Sequence, residues 1–137
     1  MTTEPAAPRP AAGAGVAPYA LAVDDNEMNL ELMVCALELD GFEVAVARDA
    51  GEFRRVFALR RPDVVLMDVQ LPGTSGLDLT RELKADPASA GIPVIAVTAH
   101  AMKGDEQRMR AAGCDGYLSK PLDVQTFAQS VRALLRP

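Results

Sequence analysis

Short, mostly apolar runs alternate along this chain with stretches whose apolar residues fall at helical spacing. Tyr19–Val23, Phe42–Ala47, Val64–Met67, Ile92–Thr98 and Gly116–Ser119 read as strands. The third run is the clearest: Val64 to Met67 lies between Pro62-Asp63 and a turn carrying Leu71-Pro72-Gly73, and it ends in Asp68. An uninterrupted apolar run with such punctuation marks a strand buried on both faces, as in parallel sheets. The intervening segments read as helices at Glu27–Leu39, Gly51–Leu59, Gly76–Ala85, Met102–Ala112 and Asp123–Leu135. Five strands alternating with five helices predict an α/β fold whose parallel strands are joined by right-handed crossovers, with helices on both faces of the sheet.

The helix boundaries have local causes. Asn26 or Asp25 can cap the first helix, and Gly41 stands where that helix ends. The first helix carries two apolar stripes, Leu30, Met33 and Leu37 on one side and Met28, Leu32, Cys35 and Leu39 on another. This predicts a broadly buried helix, the alternative being a second stripe left free for a partner. In the second helix Phe53, Val56 and Phe57 point inward; in the third, Leu77, Leu79 and Leu83; in the last, Val124, Phe127, Val131 and Leu134.

Chemistry collects at the ends of the strands. Strand one runs into Asp24 and Asp25, strand three ends at Asp68, strand four at Thr98, and strand five is followed by Lys120-Pro121. Right-handed crossovers place these ends on one edge of the sheet, where open α/β folds bind their ligands. Carboxylates gathered there repel, by about 4 kcal/mol per pair at about 4 Å and an effective dielectric of about 20. They call for a cation, and oxygen-only ligands beside a crevice that also receives an anion suit Mg²⁺. With Lys120 as a mobile positive charge and Thr98 as a hydroxyl donor, Asp68 has what a carboxylate needs to attack phosphorus.

Composition narrows the function classes. At 137 residues the chain is long enough for one domain with a single sizeable core. Its net charge of -5, with no Lys/Arg-rich window, argues against nucleic acid or an anionic membrane as partner. No apolar run approaches a membrane span and no secretory pattern opens the chain, which predicts a cytoplasmic protein without membrane insertion. Cys35 and Cys114 lack metal-type spacing and read as free, partly buried thiols. Residues 1–18, rich in Ala and Pro, are expected to form a disordered tail ahead of a domain spanning 19–137.

The order Asp24-Asp25, Asp68, Thr98, Lys120-Pro121 resembles the receiver domain of bacterial two-component response regulators. The stretches Val23-Asp24-Asp25-Asn26-Glu27-Met28-Asn29, Met67-Asp68-Val69-Gln70-Leu71-Pro72 and Ala96-Val97-Thr98-Ala99-His100-Ala101-Met102-Lys103-Gly104-Asp105 are similar to the DivK-like single-domain regulators of cell-cycle signalling. Similar stretches also occur in receivers of hybrid histidine kinases. The resemblance implies a doubly wound (βα)5, flavodoxin-like receiver fold with a five-stranded parallel sheet in the order 2-1-3-4-5. It implies that Asp68 accepts a phosphoryl group from a phosphohistidine on a histidine kinase or histidine phosphotransfer protein. Asp24, Asp25, Asp68 and the backbone carbonyl of Gln70 would hold Mg²⁺. Thr98 would turn towards the phosphoryl group, Lys120 would pair with it, and Tyr117 would swing inward behind Thr98. The readout would be a change of the helix 4/strand 5/helix 5 surface, presented to a downstream protein partner by a monomer or weak dimer. The Lys120-Pro121 bond is expected to be cis, against the general preference for trans. Gln70 and His100, flanking the acceptor, are expected to tune attack of water on the phosphoaspartate.

Other readings fare less well. A phosphatase of the haloacid dehalogenase type wants an acid two residues after its nucleophile, where this chain has Gln70. A nucleotide-binding enzyme would need a Gly-rich phosphate loop after strand one, which is missing. The expectation is therefore a signalling protein rather than an enzyme, with at most self-phosphorylation from small donors and autodephosphorylation. The chain ends soon after the last helix, leaving no room for an output domain, so the output is expected to be a partner or a second transfer step. The alternative is an adaptor that acts through its surface whether or not it is phosphorylated.

Overall fold

The computed structural model describes residues 17–99 and 103–135. Five strands, β1 (Tyr19–Val23), β2 (Glu43–Ala47), β3 (Val64–Asp68), β4 (Val94–Thr98) and β5 (Gly116–Ser119), alternate with α1 (Glu27–Leu39), α2 (Ala50–Leu59), α3 (Gly76–Ala85), α4 (Lys103–Ala112) and α5 (Val124–Leu135). All neighbouring strands of the sheet are parallel, and their order is 2-1-3-4-5, as the resemblance implies. β1, β3 and β4 are buried at every position, which is why they read as uninterrupted apolar runs.

The sheet divides the interior in two. On one face Phe53 of α2, Leu77, Leu79 and Leu83 of α3 and Met109 and Ala112 of α4 pack against Leu21, Val23, Val65, Met67, Val94 and Ala96. On the other, Leu30, Met33, Ala36 and Leu37 of α1 and Phe127, Ala128 and Val131 of α5 pack against Ala20, Ala22, Leu66, Ile95 and Val97. Each fully buried Leu or Met of these sets contributes on the order of 2 kcal/mol.

Several expectations need correcting. β2 and β4 begin later than the apolar pattern suggests, at Glu43 and Val94; α2 and α5 differ from their predicted starts by a residue, α1 and α3 begin where expected, and Met102, the expected start of α4, lies outside the described residues. A two-stranded antiparallel ribbon, Gln70–Leu71 with Thr74–Ser75, is an element the sequence reading lacks. α1 is not broadly buried: its Leu30, Met33 and Leu37 stripe faces the sheet, whereas Met28 is 69% and Leu39 79% exposed and Cys35 is exposed as well. β1 and β2 offer α1 one apolar floor, and α5 covers only one of its flanks. Cys35 is thus an open thiol, not a partly buried one, while Cys114 is buried, and desolvation pushes its thiol above the ordinary value.

The caps follow the sequence closely. Asn26 caps α1, its side chain accepting from the Asn29 amide at 2.9 Å. The C-cap is Asp40, and Gly41 follows it at φ +92°, a left-handed conformation that costs glycine little. The predicted tail falls outside the described residues except for its last two positions. Pro18 there accepts from the Glu43 amide at 2.8 Å and leads directly into β1.

Candidate functional site

The carboxyl ends of β1, β3, β4 and β5 meet at one edge, as the crossover argument requires. The backbone fixes them there: the Asp24 amide donates to Ala47 at 3.0 Å, and the Lys120 amide donates to Thr98 at 2.8 Å. Carboxylate oxygens of Asp24, Asp25 and Asp68 lie within 4.8 Å of one another. Asp24 is fully buried and Asp68 nearly so, whereas Asp25 is exposed at the rim.

Lys120 binds this acidic edge together. Its Nζ lies 3.1 Å from Asp24 Oδ2 and 3.3 Å from Asp68 Oδ1. Asp24 Oδ1 accepts from the Asn26 amide at 2.9 Å, and Asp68 Oδ1 accepts from the Gln70 amide at 3.2 Å. Asp24 Oδ2, by contrast, is buried and receives no well-directed hydrogen bond, only the ion-pair contact. A buried carboxylate oxygen left with electrostatic attraction alone is costly. With only oxygen donors around it, the cluster suits a hard divalent cation such as Mg²⁺.

The electrostatics follow from burial and crowding. Burial, then the neighbouring charge of Asp24, raises the Asp68 carboxyl to about 6, against the opposing pull of the Gln70 amide and Lys120. For Lys120, burial works against the charged form. The carboxylates of Asp24 and Asp68 outweigh it, and the ammonium is held above its usual range. One ammonium between two buried carboxylates leaves the cluster net negative, which again favours a cation.

The Lys120-Pro121 peptide bond is cis, as expected. Thr98 is buried at the end of β4 and paired in register with Ser119 of β5. Tyr117 is half-buried on the same sheet face as Ala96, and its hydroxyl donates to Glu106 Oε1 of α4 at 3.4 Å. Its ring therefore sits under α4 here. His100 lies outside the described residues.

One residue of consequence was missed. The Gly76 amide donates to Val69 at 2.8 Å, and a Cβ built on Gly76 would lie 1.9 Å from the backbone oxygen of Asp68. Only glycine lets the start of α3 press against the end of β3. Ser75 then caps α3 through the Leu77 amide at 3.0 Å and also reaches the Val69 carbonyl at 3.4 Å. Gly76 thereby sets the path of the loop carrying Gln70. The signal available in the sequence was a glycine opening a helix a few residues after the strand-end aspartate.

A five-stranded parallel sheet in this order, with two buried aspartates and a lysine at its carboxyl edge, is the architecture of a receiver. The family model for the response regulator receiver domain matches residues 20–132, and the chain belongs to that family. Among relatives it is similar to the polar-differentiation response regulator DivK of Brucella anthropi, 46% identical over 113 residues that cover 82% of this chain and 92% of the relative. The fold matches the chemotaxis protein CheY4 of Vibrio cholerae with a TM-score of 0.82 and 24% identity, over 87% of this chain and 99% of that one. It also matches the receiver domain of a sensor histidine kinase from Pseudomonas aeruginosa, with a TM-score of 0.78 and 30% identity, over 88% of this chain and 98% of that one. That structure has a magnesium ion coordinated in its active-site cleft. The protein is thus a DivK-like response regulator receiver, and phosphorylation-driven signalling is the general mode of its family. Among the described residues, no helix is long and apolar enough to cross a membrane.

Proposed function

We propose that the chain accepts a phosphoryl group on Asp68 from a phosphohistidine of a histidine kinase or phosphotransfer protein, in a Mg²⁺-dependent reaction. The observation that carries this reading is the single ammonium of Lys120 shared by Asp24 and Asp68, beside an Asp24 oxygen that lacks a directed hydrogen bond. Asp24, Asp25, Asp68 and the Gln70 carbonyl would hold the metal. When bound, it would neutralise the carboxylates and the phosphoryl oxygens. With its carboxyl at about 6, Asp68 is about nine-tenths ionised at pH 7 and available as nucleophile. A new bond from its oxygen to phosphorus replaces the phosphorus–nitrogen bond of the phosphohistidine, and the departing imidazole takes up a proton. Lys120 then pairs with a phosphoryl oxygen, and Thr98 supplies a hydroxyl to another.

The output follows from the added charge. Thr98 and Tyr117 act as the switch, and the surface of α4, β5 and α5 carries the change to a downstream protein. Gln70 and His100 tune how fast water removes the phosphoryl group. The domain spans 19–137 and works in the cytoplasm as a monomer or weak dimer, in cell-cycle or phosphorelay control; beyond self-phosphorylation and autodephosphorylation it has no enzymatic activity.

Intact mass after incubation with Mg²⁺ and acetyl phosphate tests this directly. The wild type should gain one phosphoryl group, and Asp68→Asn and a magnesium-free control should gain none. No adduct on a folded wild type, with a partner kinase also tried, would sink the reading.

The adaptor reading has an observation of its own. Beside the exposed stripe of α1, a groove of about 510 Å³ runs between Leu30, Val34 and Leu39 and the side chain of Val46 on β2, with Glu31 and Glu38 along it. Equal affinity for a partner in the phosphorylated and unphosphorylated states would favour the adaptor.

A further inference from the structure

Glu106 of α4 is held from two sides. Its Oε2 accepts two N–H groups of Arg110, at 3.2 and 3.1 Å, and its Oε1 accepts the Tyr117 hydroxyl at 3.4 Å. The guanidinium is on the same helix, one turn on, so it orients the carboxylate without tying α4 to anything else. Only the phenol crosses to the sheet. α4 also reaches the core through Met109 and Ala112, and this polar contact adds to that packing in fixing Tyr117 relative to the helix. Tyr117 and Thr98 share a sheet face, because Tyr117 pairs with Ala96 and Thr98 lies two residues further along β4.

We infer that Glu106, oriented by Arg110, is a positioning residue that holds Tyr117 beneath α4 and so biases the receiver toward its unphosphorylated state. The inference rests on the reading of Asp68 as phosphoacceptor and of Thr98 with Tyr117 as switch. A contact that favours one of two conformations weakens any ligand of the other by the same factor. Glu106 and Arg110 are partly exposed and the phenol contact is long, so the factor is small.

The test is a double-mutant cycle on the full chain. Binding of beryllofluoride, a phosphoryl mimic, is measured by calorimetry in saturating Mg²⁺ for wild type, Glu106→Ala, Tyr117→Phe and the double variant. Tyr117→Phe removes only the hydroxyl and keeps the ring. Each single change is expected to tighten binding about two- to fivefold, with the double variant no tighter than either. The melting temperature of the unliganded protein should stay unchanged in Glu106→Ala, which separates positioning from a structural role. Arg110→Ala should shift binding in the same direction by less. If the wild type binds and Glu106→Ala binds equally or more weakly, the inference falls and the phosphoacceptor reading stands. Single effects that multiply would also overturn it, because Glu106 would then act without Tyr117. A folded wild type that does not bind the mimic overturns both.

Discussion

The two sides of the acidic edge are built on different terms. On the β1–β3 side, Asp24 directly follows β1 and Asp68 ends β3, both strands buried at every position, with Gly76 pressed against the end of β3. On the α4 side, the helix is polar along most of its length, and several of its contacts are half-exposed ion pairs such as Asp105 with Arg108 and Glu106 with Arg110. Group transfer needs reacting groups fixed within a fraction of an ångström, which close-packed strands provide. A readout needs an element that can be displaced for little free energy, and exposed ion pairs worth under about 1 kcal/mol provide that. Rigidity and looseness are thus allotted to neighbouring strand ends.

The strongest way to break this contrast is at Gly76. Gly76→Ala drives a methyl group into the backbone carbonyl of Asp68 and against the Met67 side chain, and the carbonyl cannot swing aside as a flexible side chain could. A loss of about 3 kcal/mol or more is expected in denaturant unfolding, together with a loss of acetyl phosphate labelling. A variant as stable as wild type would mean the β3 end is not rigid.

The next effect is set by pH. Because burial lifts Asp68 from 3.8 to about 6, the folded chain holds this proton more tightly than the unfolded chain. Its contribution to stability is complete below about pH 3.8 and is lost as pH rises through about 6. In the absence of divalent cations, Asp68→Asn should therefore be more stable than wild type at pH 7, by on the order of 2 kcal/mol, with the difference shrinking toward pH 4. Addition of Mg²⁺ should raise the melting temperature of the wild type and leave that of the variant nearly unmoved. Equal pH profiles for the two proteins would show that Asp68 is not the strained group.

The smallest effect belongs to α4. Arg108→Ala breaks the ion pair with Asp105 and should change stability by no more than about 0.5 kcal/mol, read from the same unfolding curves. A loss comparable to that of Gly76→Ala would erase the contrast.

The strands of the rigid side were more legible in the sequence than the contacts built around them. β3 and its aspartate could be read from a buried apolar run with its punctuation, because burial on both faces leaves no other pattern. The ribbon at Gln70–Leu71 and Thr74–Ser75 was illegible, since two residues per strand carry no period. The contact of Gly76 with Asp68 runs to backbone, which side-chain patterns do not record. For α1 both apolar stripes were visible, but which one meets the sheet depends on where α5 lies. The role of Glu106 was hidden because its pairing with Arg110 looks, in sequence, like any solvated helix pair.

The sheet separates the α2–α3–α4 packing from the α1–α5 packing so completely that the two interiors share no side chain. Substitutions in one should combine additively with substitutions in the other. A duplicated copy of such a gene could drift on its α1 side until it answers a different sensor, without losing the switching machinery across the sheet. Divergence of this kind, one face at a time, would let an organism accumulate many insulated pathways from a single ancestral design.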